Sequence, residues 1–281
     1  YKPPHHLPRR VIVEVCCGSQ SRIGSTTGPH ADGCLVVRVT KEDDFLSYDG
    51  IAKVMGVLEY FREVLVLLWI AFPCTGGSAF NTGTHWWKGD EDLRRRISGH
   101  WEFYRKLWAS FAHYVVPLID ANRNYVRQCI ELPDSCDYWK WCSGGICKDG
   151  TSQFPIKEHI SQYGLGSAIC HGCCFGLRAV HGSERGPLLR KVWRIASDVP
   201  QLCEYMHTDL SGTDPNNPHC FGHRLCLHGK GSYHIKQGEV ISGDGTHCRV
   251  QGANTKLTED YCDSMDASIH QAFSTHCSHS S

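Results

Sequence analysis

Runs of β-branched and apolar residues alternate with segments of helical periodicity between residues 10 and 200. Runs of the first kind predict strands, and apolar positions that recur every three or four residues predict amphipathic helices. Pro117 is expected to kink the longest helix or end it early. The predicted strands cover 10–17, 34–40, 64–72, 125–132, 168–177 and 189–197, and the predicted helices cover 48–63, 90–119, 155–163 and 258–273.

The alternation of strands and helices is typical of an α/β fold, with a Rossmann-like sheet covered by helices on both faces. The strand at 64–72 is apolar at every position, which suits a central strand buried on both sides. The last two predicted strands follow one another across a turn-rich segment at 181–187. Their order predicts a hairpin that closes the sheet.

The composition changes at about residue 200. Nine of the 18 histidines and six of the 17 cysteines lie beyond it, among Gly, Asp and Asn residues with little periodicity. We therefore expect one α/β domain at 1–200 and a Cys/His-rich extension at 201–281. Residues 201–250 are expected to be irregular, and their position suggests target recognition or a zinc-stabilised subdomain.

The overall charge gives no argument for a nucleic-acid or membrane partner, because the 29 basic and 29 acidic residues cancel. The longest apolar run, 64–72, is shorter than the roughly 20 residues that a membrane-spanning helix needs. The N-terminus lacks the apolar stretch of a signal peptide, and the cysteines are not spaced like those of a small secreted scaffold. These features favour a reducing intracellular setting, with the nucleus as one option.

Three short motifs follow predicted strands, where open α/β sheets bind their ligands. They are Cys16–Ser19 after the first strand, Pro73–Ser78 after the third, and Glu131–Pro133 at the end of the fourth. Cys74 is placed as a nucleophile would be, with glycines behind it that let backbone approach a ligand. The alternative is an inert thiol, because a free cysteine is commonly a small core residue.

These motifs resemble those of the DNA cytosine-5 methyltransferases. Pro73-Cys74 followed by Ser78 is similar to that family's Pro-Cys-x-x-x-Ser nucleophile loop. Glu131 is similar to the Glu of its Glu-Asn-Val motif, and Glu14–Gly18 (EVCCG) occupies the position of its first, AdoMet-binding loop. The resemblance covers residues 10–200 and implies a class I AdoMet-dependent methyltransferase fold.

The resemblance also implies a reaction, the transfer of a methyl group from AdoMet to C5 of cytosine in DNA, with RNA as the alternative substrate. Cys74 as a thiolate would add to C6 of the base, and Glu131 as a protonated acid would hydrogen-bond N3. The thiol then needs positive charge nearby, the carboxyl needs burial, and a duplex must release its base. The implied cofactor-binding residues are Glu14, Cys16, Cys17, Gly18, Ser19, Thr40, Glu42 and Pro73.

The cofactor loop departs from the family pattern. Cys17 replaces the bulkier start of the usual Phe-x-Gly-x-Gly sequence, which leaves only Gly18 and Gly24 to shape the turn. The acidic cluster at 42–44 follows the second strand, where class I methyltransferases usually place an acid on the AdoMet ribose. The alternative is a solvated loop whose carboxylates cap a helix.

The catalytic motifs depart from the pattern as well. Leu-Pro replaces Asn-Val after Glu131, and no Gln-Arg-x-Arg motif precedes the last strand. The sequence RKVWR offers Arg194 as a catalytic stand-in, with Arg190 and Lys191 as alternatives. A strongly diverged branch and a branch that has lost activity both fit these departures.

The segment 84–127 is rich in basic and aromatic residues. Trp86 or Trp87 could stack on a base while cations of this segment contact phosphates. The alternative, favoured for Trp101, Trp108 and Phe111, is that the helix buries its aromatic stripe and leaves its charges in water. The cations in question are Arg94, Arg95, Arg96, Arg105 and Lys106.

The late cysteines and histidines suggest a structural zinc site. Zinc takes four such ligands in a tetrahedron, and Cys220-x2-His223-x2-Cys226 has a usable short spacing, with Cys203 and His207 upstream. The pattern matches no recognised finger, so unligated residues are the alternative. Two functions outside the enzyme class also stay open: a non-catalytic nucleic-acid-binding or scaffold protein that keeps the fold, and a zinc-stabilised interaction module.

Overall fold

The protein is an α/β structure built on a six-stranded mixed sheet, as described by a computed structural model. Its strands are β1 (Arg10–Cys17), β2 (Cys34–Thr40), β3 (Leu65–Ile70), β4 (Val126–Pro133), β5 (Gly166–His171) and β8 (Val192–Ser197). They lie in the order β2-β1-β3-β4-β8-β5. The structure describes residues 6–25, 27–175, 177–181, 184–208 and 263–279, with short strands at 234–236, 239–241 and 247–249.

The first four strands of the sheet are parallel, and β8 is antiparallel to both of its neighbours. Val13 of β1 lies opposite Val37 of β2 and Leu68 of β3. On the other side, Glu131 of β4 pairs with Ile195 of β8, and β5 closes the edge against β8. The last two strands expected from the sequence therefore pair antiparallel, but they do not form a hairpin, because other strands stand between β5 and β8 in the chain.

Helices cover both faces of the sheet, as expected. One face packs against α1 (Tyr48–Tyr60), α3 (Glu91–Ser110), α4 (Val116–Ala121) and α5 (Ile156–Tyr163). The other face packs against α6 (Pro200–Met206) and α7 (Asp263–His279). Along β3, Leu68 and Ile70 face the first layer while Leu67 and Trp69 face the second. The strand is buried on both sides, which explains why it is apolar throughout.

The boundaries of the two long helices follow from local chemistry. Ser47 caps α1 by accepting the amide of Gly50, and Asp90 caps α3 by accepting that of Leu93. Residues 111–115 form a π-helical turn, after which α4 continues the helix with Pro117 in its first turn. The amide of Val116 bonds to the carbonyl of Phe111, five residues before it, and this wider turn makes room for a ring that would clash with the carbonyl four residues back in a regular α-helix. The extra residue of the π turn thus lets the helix pass Pro117 without ending.

Three expectations from the sequence are wrong. The strand expected to run to residue 177 ends at His171, and a 3-10 turn, Gly172–Phe175, follows it. The segment expected to be a turn carries β7 (Glu184–Arg190), which pairs with β6 (Arg178–His181) and β9 (His234–Lys236) in a small separate sheet. The irregular segment begins with the helix α6 and contains β10 (Glu239–Ile241) and β11 (His247–Arg249).

Both described ends of the 201–281 segment belong to the main core. Leu202 and Met206 of α6 and Ile269 and Phe273 of α7 are buried on the second face of the sheet. The boundary near residue 200 stays a prediction, as does a role in target recognition for residues 201–250. Within the described part of the chain, no helix combines the length and the hydropathy of a bilayer span.

Strand order locates the place where a ligand would bind. The chain runs from β1 to β2 on one side and returns through α1 to β3 on the other side of β1. The order reverses between β1 and β3, and ligands of open α/β sheets bind outside the carboxyl ends of strands at such a point. The loops after β1 and β3 therefore meet at this switch point.

Candidate functional site

Cys74 lies four residues beyond the end of β3, where a short 3-10 turn, Thr75–Gly77, begins. Its carbonyl accepts the amide of Gly77, and its side chain is half-buried against the first core. The thiol is thus neither sealed in the core nor fully in water. This placement is compatible with a nucleophile at the mouth of a buried strand.

The two glycines after Cys74 are required by close packing rather than by unusual dihedral angles. A Cβ on Gly77 would lie 2.6 Å from Sγ of Cys136, and one on Gly76 would lie 2.8 Å from Cδ1 of Trp101 and against the hydroxyl of Tyr138. Side chains from two other segments therefore press directly on this backbone. Glycine is the residue that permits such an approach.

Hydrogen bonds hold the loop to the long helix and to the segment that follows. The indole Nε1 of Trp101 donates to the carbonyl of Gly76 at 2.7 Å, in a buried contact. Asn81 donates its side-chain amide to the carbonyl of Thr75 at 2.6 Å. Ser78, the last residue of the family-like motif, accepts the amide of Asn81 and so caps the next turn. The position of Cys74 is thereby set by the core.

Cys74 and Glu131 lie close enough for their charges to interact. Burial, and then the carboxylate of Glu131, raise the pKa of Cys74 to about 11, while the ammonium of Lys191 opposes the rise. Glu131 is half-buried at the end of β4, and Lys191 stands just before β8 with its Nζ 4.5 Å from the ring centroid of Trp193. The charges of Glu131 and Lys191 thus act on Cys74 in opposite directions, and the thiol is protonated at neutral pH.

The structure pairs Arg194, the predicted catalytic arginine, with a different residue. Its guanidinium contacts Asp134 at 2.8 Å and lies over the ring of Trp139. Arg194 lies opposite Leu132 and Glu131 opposite Ile195, so the arginine and Glu131 project from opposite faces of the sheet. A catalytic role for Arg194 stays a prediction, and Lys191 of the same RKVWR segment is the cation that interacts with Cys74.

Sequence reasoning missed the aromatic support of the site. Tyr138 is fully buried, stacks on Tyr104 with ring centroids 3.8 Å apart, and lies beside Gly76. Burial, together with the nearby Cys136 and Cys74, raises its pKa, so the phenol stays neutral. The cluster of aromatic residues at 138–141 was the available signal. Its distance in sequence from Cys74 concealed the contact.

The end of β1 and the loop after it carry five of the predicted cofactor-binding residues, with Glu14, Cys16 and Cys17 in the strand and Gly18 and Ser19 in the loop. Cys16 has a positive φ of 63°, and the register of β1 against β2 shifts between Val15 and Cys17. This bulge turns the chain out of the sheet. Gly18 and Ser19 beyond it are exposed, whereas Glu14 is buried and accepts the hydroxyl of Ser21 at 2.5 Å.

Both thiols of the bulge are protonated at neutral pH. Burial and the charge of Asp44 raise the pKa of Cys16 to about 12. Burial and Glu14 raise that of Cys17 to about 12 as well, although Arg38 opposes the rise. The thiols at this loop are thus neutral groups beside a buried carboxylate, which suits shaping of the turn rather than nucleophilic chemistry.

The acidic residues after β2 have different roles. Asp43 accepts the amide and hydroxyl of Thr40 and forms a 2.8 Å ion pair with Lys53. Glu42 is exposed, and a hydrogen bond from the side chain of Thr40 lowers its pKa. Asp43 thus holds the loop, while Glu42 presents an ionised carboxylate at the carboxyl edge of the sheet. Pro73 is exposed beside the same edge, after β3.

The predicted zinc ligands are only partly described. Cys220, His223 and Cys226 lie outside the described residues. Cys203 lies beside Gly166 and contacts the carbonyl of Ser197, and His207 accepts the amide of Ile169 through Nδ1. Among the residues that the structure describes, no three His, Cys, Asp or Glu side chains form a metal-binding group. The zinc site stays a prediction.

Changing the charges around Cys74 is expected to change its reactivity. Glu131→Gln removes a charge that raises the pKa of Cys74, and Lys191→Met removes one that lowers it. Alkylation requires the thiolate, whose fraction grows about tenfold per pH unit below the pKa. At one fixed pH below 11, iodoacetamide should modify Cys74 faster in Glu131→Gln and slower in Lys191→Met than in the wild type.

Peptide mass spectrometry after timed quenching measures this rate at Cys74 alone. The half-buried Cys142 is the internal reference and should react equally in all three proteins. If Cys74 reacted at the wild-type rate in both variants, neither charge would act on the thiol.

Comparison with known proteins adds no further evidence at this point. No protein-family model, no curated protein and no solved structure matches the chain.

Proposed function

We propose that the protein transfers a methyl group from AdoMet to C5 of cytosine in DNA through a covalent adduct at Cys74. The observation that supports this most directly is the interaction between Cys74 and Glu131. They stand at the carboxyl ends of the adjacent parallel strands β3 and β4, beside the switch point. A nucleophile and an acid are thus available to one bound base.

The residues at the edge fit a nucleoside cofactor. The ionised and exposed carboxylate of Glu42 can accept hydrogen bonds from a ribose diol. Gly18 and Ser19 offer exposed backbone after the bulge in β1, and Pro73 closes the edge at β3. These groups would hold AdoMet. When bound, AdoMet supplies an electrophilic methyl group.

Each residue near the thiol has a defined role in the proposal. The thiol of Cys74 loses its proton to solvent, and the thiolate adds to C6 of the cytosine, which moves the electron pair of the C5–C6 double bond to C5. That pair bonds the methyl group. The proton of C5 then leaves to water as the bond between sulfur and C6 breaks and the C5–C6 double bond forms again. Glu131 in its protonated form donates a hydrogen bond to N3 and so stabilises the charge that develops on the ring. Lys191 acts as a positioning residue, because its positive charge favours the thiolate.

The raised pKa of Cys74 links these roles. The carboxylate of Glu131 is one cause of the rise, so protonation of Glu131 both provides the donor for N3 and lowers the pKa of the thiol. Binding of a base that requires a protonated Glu131 would therefore activate Cys74 at the same time. In the absence of substrate, the nucleophile would remain protonated and protected from oxidation.

Covalent trapping tests the proposal. An oligonucleotide that carries 5-fluorocytosine arrests the adduct, because the fluorine at C5 cannot leave as a proton does. With AdoMet, the wild type should give a denaturant-resistant species in which mass spectrometry finds the base on Cys74. Glu131→Gln should give far less adduct while keeping the fold, as judged by circular dichroism. Adduct formation on another cysteine, or none on any, would contradict the mechanism.

A second function is favoured by one observation. A pKa of about 11 leaves little thiolate on Cys74 at neutral pH, as expected of a methyltransferase-like protein that binds nucleic acid without catalysis. Calorimetry and covalent trapping together distinguish the enzyme from the non-catalytic protein. AdoMet binding with trapping supports the enzyme, and nucleic-acid binding without trapping supports the non-catalytic protein.

A further inference from the structure

The segment directly after the nucleophile loop exposes two large aromatic side chains. Residues Phe80–His85 form a π-helical turn that continues into the short helix α2 (Trp86–Lys88). Phe80 is 63% exposed and Trp87 is 71% exposed. A single exposed aromatic residue is ordinary on a protein surface, but two on one short segment directly after the Cys74 loop need a physical reason.

The segment is firmly held, so its aromatic side chains are presented in a defined place. Trp86 packs on Trp101 with ring centroids 4.8 Å apart, and Trp101 also binds the nucleophile loop. The hydroxyl of Thr82 donates to Asp137, and the ammonium of Lys148 donates to the carbonyl of Thr82. The exposure of Phe80 and Trp87 is thus a property of an anchored surface.

The charges around this surface favour an anionic partner. Lys148 lies with its Nζ 5.0 Å from the ring centroid of Trp87, and the exposed Lys88 is its neighbour in sequence. Among the described residues, neither lysine forms an ion pair. The nearby carboxylates are engaged locally, because Asp90 caps α3 and Asp137 pairs with Lys140. Two exposed aromatic side chains and two lysines that form no ion pair with a described residue therefore lie on or beside one short segment.

We propose that Phe80 and Trp87 stack on the bases of an unpaired polynucleotide strand, whose phosphates Lys88 and Lys148 contact. Aromatic residues with cations beside them are the usual means of binding single strands. A duplex buries its base faces in its own stack, so this surface selects a strand whose bases are free. The inference deepens the proposed function and rests on it for the view that the bound strand carries the target cytosine.

Fluorescence anisotropy of labelled single-stranded oligonucleotides, one of DNA and one of RNA, tests the inference without requiring catalysis. Loss of one stacked base should weaken binding by about fivefold or more. We expect that loss in Trp87→Ala and a similar loss in Phe80→Ala. Tyr48→Ala is the matched control, because Tyr48 is also highly exposed, at 86%, but lies on α1, and it should bind like the wild type.

The salt dependence tests the role of the lysines. Removing one phosphate contact should reduce the slope of log K against log salt by about 0.7 for a single strand. Lys148→Gln should show this reduction and Lys88→Gln should repeat it, whereas Lys106→Gln should not, because Lys106 is paired with Glu102. Lys148→Gln also removes the hydrogen bond from Lys148 to the carbonyl of Thr82. Lys88→Gln leaves that bond intact, so its effect reports on the phosphate contact alone.

The outcomes separate this inference from the proposed function. Weaker single-strand binding in the two aromatic variants supports the surface, and if 5-fluorocytosine trapping then fails, only the methyltransferase proposal is lost. Wild-type affinity in both variants overturns the inference. So does tighter binding of a duplex than of the single strand, and so does the absence of oligonucleotide binding by the wild type.

Discussion

Cys74→Ser is expected to abolish methyl transfer and covalent trapping while leaving the affinity for AdoMet within about tenfold, or roughly 1.4 kcal/mol, of the wild type. A serine hydroxyl is far less acidic than a thiol and does not supply a usable anion at this position. The proposed cofactor contacts come from β1, β2 and the loops after them, and from Pro73, which the substitution leaves in place. The two effects should therefore separate cleanly.

Tritium transfer from labelled AdoMet to a cytosine-containing oligonucleotide measures the activity, and calorimetry measures the cofactor affinity. Cys142→Ser provides a matched control, because that thiol is also half-buried but has no part in the proposed mechanism. Full activity of Cys74→Ser would rule out nucleophilic catalysis by this residue. A loss of AdoMet binding together with activity would show instead that Cys74 supports the cofactor site.

Of the substitutions named in this section and above, Trp108→Ala is expected to lower the free energy of unfolding most, by about 3–5 kcal/mol. Trp108 is fully buried, and its ring stacks on Phe154 and meets Phe72 and Phe111 edge-on, with centroids 5.2–5.4 Å apart. Truncation leaves a cavity that these rigid neighbours cannot fill. Against a typical total of about 5–15 kcal/mol, this is a large fraction of the free energy of unfolding.

Urea denaturation followed by circular dichroism measures the change, and Trp87→Ala is the matched control. Trp87 is the same residue type but largely exposed, so its truncation should change the free energy of unfolding by no more than about 0.5 kcal/mol. Equal effects of the two substitutions would mean that Trp108 is not in the core. The pair also shows that any loss of strand binding in Trp87→Ala does not come from unfolding.

The aromatic core connects these two predictions. Trp108 contacts Tyr104 edge-on, Tyr104 stacks on Tyr138, and Tyr138 lies against Gly76 of the nucleophile loop. Packed aromatic side chains of this kind support the place where Cys74 is presented. We therefore expect partly destabilised core variants to lose trapping before they lose secondary structure.

Local pattern was sufficient for most of the secondary structure. The strands at 10–17 and 34–40 occur with the expected bounds, because their β-branched runs are short and clearly ended. The helix at 155–163 ends at Gly164, whose φ of 61° suits glycine. The sequence also placed Cys74 after the third strand and Glu131 at the end of the fourth, and the side of a parallel sheet on which such positions meet follows from chain direction alone.

Tertiary structure decided what local pattern could not. Contacts between segments distant in the chain decided three features. They placed β8 between β4 and β5, they made Lys191 the cation that acts on Cys74, and they set Tyr138 against Gly76. Periodicity describes one segment at a time, so the sequence led to Arg194, with Arg190 and Lys191 only as alternatives. Strand alternation and the ion pair with Asp134 separate them, because a pKa or an ion pair depends on distance in space.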